Sequence, residues 1–157
     1  MMKKIFFSLM ALSLISALPA ASQTVSDIDK FELWNECKPV RLVVEGLSED
    51  ADKIDLKKEN IAVTVRSRLR GARIYTGGAV FPYLYVSVTV VGKGFSIGLE
   101  LNKFVHDPVS GQSGIASTWR RGYTGTHGDN PGYILSNVGN ATDKFIDEYL
   151  RVNAPAC

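Results

Sequence analysis

Residues 83–101 read YLYVSVTVVGKGFSIGLEL, and the reading of this stretch decides the fold. Leu84, Val86, Val88 and Val90 alternate with Tyr83, Tyr85, Ser87 and Thr89; Phe95, Ile97, Leu99 and Leu101 alternate with Ser96, Gly98 and Glu100. A period of two marks strands with one buried face. Gly92-Lys93 suits a two-residue hairpin turn with glycine at its first central position. That turn sets Val88 opposite Ile97, Val86 opposite Leu99 and Leu84 opposite Leu101, so the apolar side chains share one side. Tyr85, Ser87 and Thr89 then face Glu100, Gly98 and Ser96 on the other.

Downstream, His106-Asp107-Pro108 and Ser110-Gly111 mark a longer turn, and 115–123 (IASTWRRGY) reads as a third strand of the meander. A glycine-rich loop is expected over 122–132. Asn130 then caps a last helix with Pro131 at its first position, where a missing N–H costs nothing. Ile134, Val138, Ala141, Phe145 and Tyr149 recur along it at helical spacing. Gly139 weakens its middle by roughly 1 kcal/mol relative to alanine.

Upstream, 40–47 (VRLVVEGL) is a strand by composition, and 48–55 is an acidic connector ending in Asp55 as expected N-cap. Ile61, Val65 and Leu69, with Ala62 and Ala72 beside them, form an apolar helical stripe that Gly71 should stop. Residues 72–76 make a short strand and Gly77-Gly78 a break. The order is β-α-β-β-β-β-α. This is an α+β two-layer sandwich: a mostly antiparallel sheet with two amphipathic helices on one face and a polar, aromatic face opposite. Residues 37–157 form the single domain, and 23–36 a polar, loosely held lead-in from which Phe31, Leu33 and Trp34 could dock.

The chain has 157 residues, 45% hydrophobic and 22% charged, which fits one globular domain and excludes disordered, collagen-like and coiled-coil classes. Residues 1–22 read as a signal peptide: Lys3-Lys4, an apolar run from Ile5 to Leu18 too short for a comfortable membrane span, then Pro19-Ala20-Ala21-Ser22. Losing Lys3 and Lys4 brings basic and acidic side chains into balance, so charge predicts no affinity for nucleic acid. Export to the periplasm or beyond puts Cys37 and Cys157 in an oxidising compartment, where they are expected to pair. No membrane span is expected after signal cleavage.

Four groups of residues carry candidate chemistry. His106 with Asp107, and His127 with Asp129, could hold a metal or do acid–base work if their loops converge. Neither pair has the helical spacing of a zinc site, so no metal, cofactor or catalytic residue is assigned. Arg66, Arg70 and Arg73 share a helical stripe, with Arg68 flanking and Lys57-Lys58 at the helix start, and could meet a polyanion of the envelope. Tyr83, Tyr85, Trp119 and Arg121 are expected on the polar sheet face, where Tyr, Trp and Arg favour binding. Gly111-Gln112-Ser113-Gly114-Ile115 lacks the final glycine of a nucleophile elbow, and the glycines at 122, 125, 128 and 132 fit no phosphate-loop fingerprint. Asn140-Ala141-Thr142, a glycosylation sequon, falls inside the last helix.

The final helix, Phe145-Ile146-Asp147-Glu148-Tyr149-Leu150-Arg151-Val152-Asn153, together with the strand–helix–strand start at 40–75, resembles small exported bacterial proteins of unassigned function. The element order is similar to that of small envelope modules such as the lipopolysaccharide-transport lipoprotein of the outer membrane, from which the chain departs in having no lipid-bearing cysteine after the signal. The expectation is a non-enzymatic binding or accessory module for an envelope protein or ligand. The alternatives are a small metal-dependent or acid–base enzyme built from His106, His127 and Asp129, and an envelope polyanion binder.

Overall fold

A computed structural model describes residues 24–79 and 81–157; the expected signal peptide lies outside them. In chain order the elements are α1 (Asp27–Leu33), β1 (Val40–Val44), α2 (Glu49–Lys53), α3 (Lys58–Gly71), β2 (Tyr75–Thr76), β3 (Tyr83–Val91), β4 (Gly94–His106), β5 (Ser113–Thr126) and α4 (Pro131–Asn153). The strands form one sheet in the order β2-β1-β3-β4-β5. β1 runs parallel to both neighbours, and the longer β3-β4-β5 ladders are antiparallel.

The β3–β4 hairpin has the register its sequence dictates: Val88 faces Ile97, Val86 faces Leu99 and Leu84 faces Leu101. Gly92 takes φ 56°, a left-handed turn conformation that favours glycine. The buried strand residues share one core with Ile61, Val65 and Leu69 of α3 and with Ile134, Val138, Phe145 and Tyr149 of α4. Asn130 caps α4 by accepting from the Tyr133 amide, and Pro131 opens it.

Several local expectations are corrected. Asp55 does not cap α3; it sits at φ 56° after the short helix α2, and Lys57 stands at the N-cap with no side-chain bond to the helix. α3 runs through Gly71, and the left-handed residue after it is Arg73, at φ 61°. Residues 122–126 belong to β5, so the glycine-rich loop shrinks to the few residues before α4. Glycines at 122 and 125 read as loop signals in the sequence, whereas pairing with β4 holds them extended.

The lead-in is structured as well. Ser26 and Asp29 form a reciprocal capping box that starts α1, and Leu33 is fully buried. The segment is tied to the far end of the chain. Buried Asn153 accepts from the Asn35 amide (2.8 Å) and the Cys37 amide (3.2 Å), and donates to the Leu33 carbonyl (2.9 Å). The Tyr149 hydroxyl donates to the Lys38 carbonyl, and Arg151 pairs with Asp29 at 2.9 Å. The Cys37–Cys157 disulfide closes the same junction, with 5.2 Å between Cα atoms. Among the described residues no helix is long and apolar enough to cross a membrane.

Candidate functional site

The expected binding quartet is split by one extra residue. β4 and β5 lose register between Leu101 and Asn102: Trp119 pairs with Leu101 while Ser117 pairs with Asn102, leaving Thr118 as a bulge. Because strand side chains alternate, the bulge inverts the facing of everything after it. Trp119 therefore turns to the core side, 5% exposed, with its ring 5.1 Å from that of Phe145 and its Nε1–H donating to Glu148 at 2.8 Å. Arg121, opposite Leu99, follows it and pairs with the other Glu148 oxygen at 2.5 Å. Only Tyr83 and Tyr85 of the four lie on the outer face.

The bulge puts a different set of residues beside them. Three rows cross that face: Val43-Tyr85-Glu100-Arg120, then Ser87-Gly98-Gly122, then Thr89-Ser96-Thr124. The middle row has almost no side chains, and the outer two stand up on either side. The result is a trough of about 320 Å³ whose lining includes Ser87, Ser96, Glu100, Arg120 and Thr124. Its floor is set by close packing. A Cβ on Gly98 would lie 2.7 Å from the Ser87 hydroxyl, whereas one on Gly122 would meet nothing nearer than the Ile97 carbonyl at 3.9 Å.

At the rim, the Glu45 carboxylate beside the Tyr85 hydroxyl pushes that phenol above its ordinary pKa, with burial and the nearby Glu100 charge adding. Glu100 and Arg120 face each other across β4 and β5, yet no ion pair joins them among the described residues. The trough therefore offers an acceptor, a cationic donor and several hydroxyls of either role, with no net charge. The hairpin register already placed Gly98 opposite Ser87 on this face; sequence reasoning missed Arg120 and Gly122 as its partners because their placement depends on the Thr118 bulge.

The histidine loops do not converge. His106 ends β4 and pairs with Ser113, whereas His127 follows the end of β5 that pairs with Gly94, so the length of β4, roughly 40 Å at strand rise, separates them. His106 contacts the Ser113 hydroxyl at 3.1 Å, and Asp107 is occupied in its own turn, accepting from Val109 and Ser110. Those bonds hold its carboxyl below the usual carboxylate range. His127 is 3% exposed and satisfied on both nitrogens: Nε2–H donates to the Gly92 carbonyl at 2.9 Å, and Nδ1 accepts from the Asp129 amide at 3.0 Å. It fastens the end of β5 to the hairpin turn. Asp129 pairs with Lys93, which lowers its pKa. Among the described residues no group of three His, Cys, Asp or Glu is placed to hold a metal ion.

The arginine stripe divides too. Arg70 lies over the Tyr75 ring at 5.0 Å, Arg68 reaches across to Asp143 at 3.1 Å, and Arg73 sits beyond the helix end. Arg66 alone turns into a cleft beside β1. Comparison of the chain with protein-family profiles and with curated proteins returned no match.

Proposed function

We propose that this chain is an exported, non-enzymatic binding module whose outer-face trough takes a neutral, hydroxyl-rich ligand of the envelope, a glycan by chemical class. The observation that carries this reading is the nearly side-chain-free middle row, Ser87-Gly98-Gly122, walled by Glu100 and Arg120 on one side and by Ser96 and Thr124 on the other, with Tyr85 next to Glu100 in the same row. A polyol needs donors and acceptors close together, a shallow floor for a ring, and an aromatic edge. The trough supplies these without a charge that would favour an ion. The Cys37–Cys157 disulfide supports export, since such bridges persist in oxidising compartments.

The test is titration of the chain with soluble oligosaccharides of N-acetylglucosamine, followed by amide shifts. Saturable shifts at Ser87, Gly98, Arg120 and Gly122 are expected. Gly122→Val places its branches in open space on the trough floor, so it should leave the thermal midpoint unchanged or higher and abolish the shifts. Binding that survives Gly122→Val would exclude the trough as the site.

A further inference from the structure

We infer a second, chemically distinct site, a phosphoryl-binding cleft between β1 and α3. It is independent of the trough and opens where β2 ends. β2 covers only Val40 and Arg41, so among the described residues the same edge of β1 from Leu42 to Val44 has no strand against it. The space beside it, about 520 Å³, is walled by Arg41, Lys58 and Arg66 and by Tyr75, over an apolar floor that includes Leu42 and Ala62.

That space is lined by three cations and a single carboxylate, Glu59. Its contact with Arg66 Nη1 is long, 3.6 Å, and its side chain is 70% exposed. Arg41 and Lys58 have no ion pair among the described residues, although the adjacent Lys57 is shared between Asp52 and Asp55. Arg66 Nε is the one buried side-chain polar atom among the described residues with no hydrogen-bond partner. A buried N–H of that kind ordinarily finds an acceptor, because leaving it unmade costs the full desolvation of the group.

The net charge of the lining, two positive, matches a phosphate monoester dianion. A single carboxylate would leave one charge over, whereas a phosphoryl group presents three oxygens to the guanidiniums and the ammonium. α3 adds to this, since its first turn begins at Lys58 without a side-chain cap and its dipole favours an anion. The apolar floor suits the organic body of an ester. Free phosphate esters and phospholipid headgroups share this chemistry.

The experiment uses the folded, disulfide-bonded chain and two probes, inorganic phosphate and phosphatidylcholine vesicles doped with phosphatidic acid. Saturable shifts of Arg41, Val44, Lys58, Arg66 and Tyr75 amides with inorganic phosphate are expected. Co-sedimentation with the doped vesicles and not with plain phosphatidylcholine would identify a headgroup as the source; phosphate shifts without co-sedimentation would identify a free ester. Arg66→Met keeps the aliphatic stem and should weaken binding about tenfold or more, the scale of a hydrogen bond to a charged group. Glu59→Gln removes the competing carboxylate and should tighten it. Arg73→Gln, outside the cleft, should change nothing, and Arg41→Gln on the exposed strand serves if Arg66→Met does not fold. Absence of saturable binding to both probes overturns the proposal. So does equal weakening by Arg73→Gln and Arg66→Met, which would mean diffuse attraction to a basic surface.

Discussion

Trp119 and Asn153 show how much of this protein rests on single side chains that bridge distant segments. Trp119 packs on Phe145 and donates to Glu148 from a strand to the last helix. Trp119→Ala should therefore cost about 3–5 kcal/mol of stability, as large-to-small core changes do, and denaturant unfolding would measure it. A variant of unchanged stability would place that ring outside the core. Asn153 satisfies the Asn35 and Cys37 amides and the Leu33 carbonyl at once. Asn153→Leu fits the volume but strands these groups, each costing about 1–3 kcal/mol when buried, so a loss of at least about 3 kcal/mol is expected in the same measurement. Asp29 adds a pH dependence. The hydrogen bond from Arg151, with those from Ser26, holds its carboxyl well below the usual carboxylate range. A depressed folded pKa contributes stability above the unfolded value near 3.9. That contribution falls away as acid is added below it. Thermal midpoints should drop more steeply below about pH 4 in the wild type than in Asp29→Asn.

Among the elements, α3 and α4 are coupled through a glycine whose role sequence alone misjudges. Gly139 weakens α4 by propensity, but a Cβ there would lie 2.3 Å from the Arg68 guanidinium that crosses it toward Asp143. The two effects oppose each other. Gly139→Ala alone should be nearly neutral, since about 1 kcal/mol of helix propensity is offset by a displaced surface ion pair. In an Arg68→Ala background the same change should stabilise by about 1 kcal/mol, and a double-mutant cycle would show the coupling. The strands differ in legibility for an equally local reason. A two-residue turn fixes the β3–β4 register, so alternation in the sequence carries straight into burial. β5 follows a longer turn and contains the Thr118 bulge, which reverses facing midway. Alternation read from Ile115 puts Trp119 and Arg121 on the wrong side, although Ile115 itself faces outward beside Phe104.

At the scale of the whole molecule, the chain is closed on itself by the junction of its described N-terminal segment with the end of α4. The Cys37–Cys157 bridge spans 120 residues. Cys37→Ser should cost about 2–5 kcal/mol, the range seen when a native bridge is lost. Hydrogen exchange should then show α1 losing protection before the β3–β4 hairpin, because α1 sits beside that junction whereas the hairpin is held by its own ladder at the centre of the shared core. Unchanged protection of α1 in the variant would assign its anchoring to the remaining contacts, those of Asn153 and Arg151, the Thr118 hydroxyl on the Glu32 carbonyl, and buried Leu33. Much of this architecture is written in short-range pattern: alternating strands, the hairpin register, the Asn130-Pro131 helix start, and two cysteines with only one intramolecular pairing. Those features depend on neighbours in sequence and on the fixed periods of strand and helix, so composition and spacing are enough to determine them. Which side chains meet was decided only in three dimensions. The bulge exchanged Arg121 for Arg120 at the trough, the sheet set the two histidines at opposite ends, and the short β2 left open a cleft lined by Arg41, Lys58 and Arg66. Each of these depends on where an irregularity or a strand end falls relative to a distant partner, and no local periodicity encodes that distance.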